Sequence, residues 1–219
     1  MRRVVGKQTI DLSGADVTAL RESYERVLLD VGTGDGKHAL RVARQHPEWL
    51  VVGLDASRDG MVKASQRAAA KPQRGGQPNV LYVWSAAEQL PAELTGLDEI
   101  HVLMPWGSLL RGMVRPGEDR ILERLAGATH AGAELVCTLN LHAWRPPVRE
   151  VGDVGEPTPD SVLQSLSSQY RRVGWAIGDA HYVSDEELES LASAWSRRLN
   201  SSRETFDVLM IRATRVETF

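Results

Sequence analysis

Three glycines at alternate positions, Gly32, Gly34 and Gly36, follow the apolar run Val27-Leu28-Leu29, and two carboxylates accompany them, Asp30 ahead of the turn and Asp35 inside it. A third, Asp55, closes the run Val51-Val52-Gly53-Leu54-Asp55. Glycines let a backbone come within contact distance of a ligand, because a side chain there would occupy the ligand's space. An acid about twenty residues beyond such a turn stands where a ribose diol needs acceptors. Strand, glycine turn, helix and a second strand ending in a carboxylate read as a site for an adenosine-containing cofactor.

The charges bear on which cofactor. A dinucleotide site receives pyrophosphate at the helix N-terminus, with the spacing G-x-G-x-x-G. Here the spacing is G-x-G-x-G, and Asp30 and Asp35 would repel a phosphate while suiting the ammonium and sulfonium of S-adenosylmethionine. The pattern resembles motif I of the class I methyltransferases. A dinucleotide site is the alternative, and the position of Asp55 disfavours a turn without a ligand.

These residues need elements to position them. Val4–Leu12 reads as a short hairpin with its exit at Ser13-Gly14, and Asp16–Tyr24 as a helix. Arg26–Val31 is a core strand, Lys37–Gln45 the crossover helix stopped before Pro47, Leu50–Leu54 a strand and Gly60–Ala70 a helix. Strands are expected at Val80–Trp84, Glu99–Met104 and Ala133–Leu141, with a helix at Glu118–His130. Strands alternating with helices imply right-handed crossovers and a parallel, doubly wound sheet.

The last third is different in character. His142–Pro159, rich in proline, glycine and acids, reads as an extended link. Val162–Tyr170 is helical, Trp175–Val183 strand-like, and Ser184–Leu199 a helix opened by the capping box Ser184-Asp185-Glu186-Glu187. Thr205–Ala213 closes the chain as an alternating strand. The count fits seven strands ending in an antiparallel hairpin.

With 219 residues, 42% of them hydrophobic, the chain can bury a full core. It has neither an apolar run of membrane-spanning length nor a signal-peptide core behind Met1, so a cytoplasmic protein is expected. Cys137 stands alone in an apolar run and reads as a buried strand residue. The histidines show no ligand spacing, so no metal site is expected.

A net charge of −3 argues against a coat of basic charge, so any nucleic-acid footprint must be local. Such a footprint is visible, since Gly60 to Ala87 contains no acid while Lys63, Arg67, Lys71 and Arg74 recur at helix-like spacing. Arg197, Arg198 and Arg203 form a second cluster. Each cluster alone fits a solvated helix face; together, beside tryptophans, they favour a polyanion.

In open parallel sheets ligands sit beyond the carboxyl ends of the strands, which directs attention to Leu103-Met104-Pro105-Trp106-Gly107-Ser108. Trp106 could close the core beneath its loop, and Trp195 shares a helical stripe with Leu188 and Leu191. Facing each other across a gap, the two rings would sandwich a nucleobase, each stack worth about 1–3 kcal/mol.

The motifs Asp30-Val31-Gly32-Thr33-Gly34-Asp35-Gly36, Lys71-Pro72, Arg74-Gly75-Gly76, Ala86-Ala87-Glu88-Gln89-Leu90-Pro91, Met104-Pro105-Trp106-Gly107 and Ala194-Trp195-Ser196-Arg197-Arg198-Leu199 carry a fuller resemblance. The chain resembles the aminoglycoside-resistance methyltransferases of the kanamycin–apramycin type, the KamB and NpmA family, from Lys7 almost to its end. The resemblance implies one α/β domain over 1–219 with the class I, Rossmann-like fold, a hairpin at about 1–13 and a linker at about 142–160. It implies methylation of N1 of adenine 1408 in 16S rRNA on the 30S subunit, with S-adenosylmethionine as donor, by a monomer that needs no membrane.

The same resemblance assigns roles. Gly32, Thr33, Gly34 and Gly36 would line the donor with His38 at the edge of the turn, Asp55 and Ala56 would hold the ribose, and Ala87 and Glu88 the adenine. Leu103, Met104, Pro105, Trp106, Gly107 and Ser108, with Ser193, Ala194 and Trp195, would close over the methionine end. Trp106 and Trp195 would grip the flipped base. Arg198 and Arg203 would hold phosphate, with Thr205 standing where a relative has a further arginine. The linker matches poorly, which leaves Trp144 and Arg145 without an assigned role.

Three other readings stay open on the residues alone: a small-molecule methyltransferase, a tRNA guanine-N7 methyltransferase, and a non-enzymatic RNA-binding module.

Overall fold

The computed structural model describes residues 1–147, 150–184, 186–187 and 208–217. The chain forms two compact units, Met1–His101 and Val102–Phe219.

In the first unit β1 (Arg2–Val5) and β2 (Gln8–Asp11) form an antiparallel hairpin. Its turn is held down by the Gly6 amide donating to Ser65 Oγ at 3.0 Å. Helix α1 (Gly14–Glu22) starts at a reciprocal cap between Ser13 and Asp16. The strands β3 (Arg26–Val31), β4 (Trp49–Asp55) and β5 (Val80–Trp84) are parallel, joined by α2 (Lys37–Gln45) and α3 (Arg58–Ala68). Strand β6 (Leu97–Leu103) runs parallel to β3, with His101 opposite Asp30. The core gathers Leu28, Leu40, Val51, Met61 and Tyr82, apolar on the faces that the strand and helix periods turn inward.

The described residues hold nine strands, whereas the sequence suggests a sheet of seven. The difference is the hairpin: β1 lies antiparallel to β5, Arg3 opposite Val83, so β1 and β2 extend the sheet instead of standing beside it. Pairing satisfies backbone groups that the edge of β5 would otherwise present to water.

In the second unit α4 (Gly107–Val114) and α5 (Arg120–Ala128) precede a long strand, β7 (Thr129–Asn140). Strand β9 (Val208–Arg215) lies antiparallel to both β7 and β8 (Trp175–Tyr182), with a register shift between Ile177 and Asp179. Helix α4 went unassigned in the sequence, although Leu110, Met113 and Val114 give it a buried stripe. Strand β7 begins at Thr129, inside the expected helix, where the Thr129 hydroxyl donates to Ala126 O at the end of α5. Trp175 and Tyr170 are fully buried, and Trp175 Nε1 donates to Leu122 O at 3.1 Å.

The segment expected as an extended link is more structured than its composition suggests. Leu141–Trp144 is a 3-10 turn, Val151 is buried, and Arg145 grips Glu156 through Nε and Nη2 at 3.0 and 2.9 Å. A helical stretch follows, with a π turn at Val162–Leu166. Cys137 is buried in β7, as expected, and burial pushes its thiol up to about 12.

Candidate functional site

The site builds up from the end of β3. Gly32, Gly34 and Gly36 all have positive φ, at 72°, 57° and 70°, so L side chains are strained at each. Their environments differ. Gly32 and Gly34 are exposed, and a Cβ on Gly34 would meet nothing closer than Gly32 O at 3.9 Å. Gly36 is buried, and its Cβ would come within 2.5 Å of Tyr82 and 2.8 Å of Ala64. The first two glycines therefore leave an open backbone surface for a ligand, whereas the third exists for packing. That corrects the expectation that all three make room for the ligand.

Asp55, at the end of β4, binds the turn. Its Oδ2 accepts from the Gly34 amide at 2.8 Å and its Oδ1 from the Ser57 amide at 2.7 Å. Each carboxylate oxygen has a lone pair left over, so Asp55 can shape the turn and still accept from a ribose hydroxyl. Beside it Trp84 Nε1 donates to Ala56 O at 3.0 Å and the Ser85 amide to Asp55 O at 3.0 Å. Those bonds seat the 3-10 turn Ala87–Gln89, with Ala87 buried and Glu88 half-buried, at the same end of the sheet. Gly32, Thr33, Gly34, Asp55, Ala56, Ala87 and Glu88 are thus brought to the carboxyl ends of adjacent parallel strands, where open sheets bind ligands.

Below the turn Asp30 is buried and accepts from Thr33 Oγ1 at 2.5 Å. Burial pushes its carboxyl up to about 6, helped by Asp55 and Asp35 and opposed by the Thr33 bond and His101. Asp35 pairs with Lys37. His38, in the first turn of α2 just past Gly36, is buried, and burial, with His101 and Arg41, drives its imidazole down to about 3. Sequence reasoning passed over two contributors, Tyr82, whose hydroxyl donates to Gly36 O at 2.6 Å, and His101. The signal for His101 was its alternation with Glu99 on β6.

The loop after β6 belongs to the second unit. Met104 has φ of 51°, rare for a residue with a side chain, and its amide donates to Thr138 O and Oγ1 at 3.0 and 3.1 Å. Its side chain packs on Val208 and Val183. Pro105 is buried, Leu103, Trp106 and Gly107 are partly exposed, and Ser108 is exposed. Trp106 caps the start of α4, its carbonyl accepting from the Leu110 amide. A backbone strained in this way and held from two sides is characteristic of ligand clamps.

Lys63, Arg67, Lys71 and Arg74 are all exposed along α3 and the turn behind it. The fold-back at Gly76 is obligatory, since a Cβ there would strike Ala70 O at 1.7 Å. Asn79 clips the loop to the sheet by donating to the carbonyls of Ala43, His46 and Trp49. Ser193, Ala194, Trp195, Arg197, Arg198 and Arg203 lie outside the described residues, as does most of the expected helix Ser184–Leu199. Its capping box is formed: Ser184 Oγ accepts from the Glu187 amide, and Glu187 Oε2 from the Ser184 amide. Among the described residues no group of three His, Cys, Asp or Glu side chains could hold a metal, and no helix is long and apolar enough to cross a membrane.

The parallel sheet with its glycine turn, open backbone at Gly32 and Gly34, and carboxylates suited to a cationic adenosine compound define a class I S-adenosylmethionine-dependent methyltransferase. Crystal structures agree in fold: that of the 16S rRNA methyltransferase KamB has a TM-score of 0.95 at 51% identity, covering 99% of this chain and 100% of that one. The chain belongs to the NpmA family, 16S rRNA (adenine(1408)-N(1))-methyltransferase, which matches residues 2–214. A 16S rRNA (adenine(1408)-N(1))-methyltransferase of Streptoalloteichus hindustanus is 53% identical over 211 residues, covering 96% of this chain and 97% of that protein. A tryptophan-to-alanine mutant of the enzyme of that name from Catenulisporales acidiphilia, solved with its cosubstrate SAM, has a TM-score of 0.90 at 41% identity, covering 99% of this chain and 97% of that one.

Proposed function

We propose that this chain transfers a methyl group from S-adenosylmethionine to N1 of adenine 1408 of 16S rRNA in the 30S subunit, conferring resistance to aminoglycosides of the kanamycin–apramycin type. The observation that carries the reading is family membership along almost the whole chain, together with a turn whose exposed backbone and carboxylates suit a cationic nucleoside. The protein acts as a cytoplasmic monomer.

When bound, S-adenosylmethionine supplies a methyl group on a sulfonium. Gly32, Thr33 and Gly34 offer it backbone, Asp55 and Ala56 its ribose contacts, and Ala87 and Glu88 its adenine contacts. His38 supports the turn, and Gly36 fixes it on Tyr82. Leu103 to Ser108, with Ser193, Ala194 and Trp195, close the methionine end. Trp106 and Trp195 grip the everted adenine, whose extrusion costs a few kcal/mol that two stacks offset. N1 of a neutral adenine already carries an in-plane lone pair, so no side chain has to remove a proton. The protein's contribution is alignment. Lys63, Arg67, Lys71 and Arg74, with Arg197, Arg198 and Arg203, hold rRNA phosphates. The product, cationic and methylated on its pairing edge, repels a polycationic drug and blocks it sterically.

Primer extension across the 16S decoding region tests the reading. Enzyme plus S-adenosylmethionine should introduce a stop at adenine 1408 in 30S subunits. Radiolabelled methyl transfer to tRNA with none to 30S would overturn it.

A further inference from the structure

The hairpin of β1 and β2 stands against α3, and a cleft of about 500 Å³ opens between them, with Gly6, Lys7 and Gln8 forming one wall and Gln66, Ala69 and Ala70 the other. Both walls are fixed. Val4 shares a core cluster with Met61, Ala64 and Ala68 of α3. The Gly6 amide donates to Ser65 Oγ at 3.0 Å, and that hydroxyl donates in turn to Val62 O at 3.1 Å. Gly6 has φ of 57°, and a Cβ there would stand 3.6 Å from Gln66 Cβ, so the turn lies directly on the helix. A cleft built in this way is preformed and needs no ordering on binding.

Its charge has one sign. Lys7 is exposed at the tip of the hairpin. Across the cleft Lys63 precedes Gln66 by three residues and is its neighbour on the helix surface. The Ala70 amide donates to Arg67 O at 3.2 Å, which carries the same wall past the end of α3 toward Lys71 and Arg74. Arg26, Arg58, Arg111 and Arg172 are each paired with an acid. Among the described residues Lys7, Lys63, Arg67, Lys71 and Arg74 have no acid partner. The acids nearest in sequence stand away from the cleft, Asp11 at the far end of β2 opposite Arg2, and Asp59 in the first turn of α3 beside Arg58. Unneutralised cations on both rims attract a polyanion.

We infer that this cleft receives the sugar-phosphate backbone of 16S rRNA, with the N-terminal hairpin as a second wall opposite the cations of α3. The inference rests on the reading of 16S rRNA as substrate, and it brings into the interface a part of the chain that the donor site does not use. The lining chooses backbone over bases. It offers no aromatic ring on which a base would stack, whereas Lys7 supplies an ammonium and Gln8 and Gln66 supply amide donors and acceptors for phosphate oxygens and the ribose 2′-hydroxyl. Ala69 and Ala70 leave the width that a strand of backbone needs between the two rims. Pairing of β1 with β5 holds the hairpin in the sheet, so Lys7 is presented from a fixed position.

Filter binding of 30S subunits over a range of ionic strength, on wild type, Lys7→Ala and Ala69→Glu, tests the inference. Lys7→Ala should bind about three- to tenfold more weakly than wild type at physiological salt, with a salt slope flatter by roughly one unit. Ala69→Glu, which sets an acid at an exposed position of the opposite wall, should bind more weakly still. Both should match wild type in urea unfolding and in affinity for S-adenosylmethionine. Cross-linking supplies an independent readout. Cys137, the chain's one cysteine, is buried, so Lys7→Cys carries a single accessible thiol, and a photoreactive group attached there should cross-link to 16S rRNA in the 30S complex. Wild-type affinity and slope in Lys7→Ala, or a cross-link to ribosomal protein alone, would overturn the inference. Weaker binding with an unchanged slope would give the cleft to a protein of the subunit and overturn it equally. Absence of 30S binding by wild type at every salt concentration would instead overturn the reading of the substrate, and the role of the cleft with it.

Discussion

Asp55 Oδ2 receives the Gly34 amide at 2.8 Å, joining the end of one parallel strand to the middle of the turn that leaves the next. Its other oxygen receives the Ser57 amide at 2.7 Å, so one carboxylate organises both sides of the cofactor loop. An amide at this position accepts through one atom only and turns N–H groups against an N–H at the other. Asp55→Asn is therefore expected to weaken S-adenosylmethionine binding by about 10- to 100-fold, the scale of one charge-assisted hydrogen bond. Calorimetry checks this, and an affinity equal to wild type would remove Asp55 from the site.

The glycines separate by function. Gly36→Ala drives a methyl group into Tyr82 and Ala64 and should cost on the order of 1–3 kcal/mol of stability, like other overpacked core positions. Gly34→Ala meets no such neighbour and pays only for its positive φ, about 1–2 kcal/mol, yet adds bulk on the exposed face of the turn. Denaturant unfolding should rank Gly36→Ala as the less stable protein. Donor binding by whichever folds should be poorer in Gly34→Ala relative to its stability. The reverse ranking would place the ligand on the other side of the turn.

Acid should act on two buried groups in opposite directions. Asp30, raised from 3.8 to about 6, binds more proton folded than unfolded between those values, so its contribution to stability grows as pH falls through that window. His38, lowered from 6.5 to about 3, binds less proton folded than unfolded between those values, so its contribution shrinks as pH falls. Asp30→Asn, which keeps an acceptor for Thr33, is expected to gain roughly 1–3 kcal/mol above pH 6 and to lose stability more steeply in acid. His38→Asn should lose it less steeply. Urea unfolding from pH 4 to 8 distinguishes these slopes from a uniform shift, which would show that neither group titrates on unfolding.

Trp106→Ala should abolish the primer-extension stop at adenine 1408 while leaving donor affinity within a few-fold of wild type. The ring is partly exposed just ahead of α4, where it is available to stack. Loss of donor binding in its place would make the indole part of the core.

Replacing Lys63, Arg67, Lys71 and Arg74 together by Ala should weaken 30S binding and flatten its dependence on salt, by roughly one unit of slope for each phosphate no longer neutralised. Filter binding over a range of ionic strength measures that slope. An unchanged slope would leave these side chains as a solvated helix face.

Local sequence determined much of this protein. The bounds of β3, α2 and β5 match their readings because apolar periodicity, glycine and proline act within a few residues. The glycine turn, Asp55 and the acid-free stretch around α3 were equally legible, since their chemistry depends on residue type and short spacing. Helix α4 had no reading, and β7, read as a strand over Ala133–Leu141, starts earlier, at Thr129, because the ends of elements answer to tertiary pairing more than to local pattern. Only the tertiary structure decided that the hairpin joins the sheet, that Gly36 serves packing, and that His38, His101 and Glu99 connect beside Asp30. Those facts depend on which strands become neighbours and in what register. Pairings of that kind, spanning 63 residues between His38 and His101, are set by burial over the whole unit and leave no trace in local spacing.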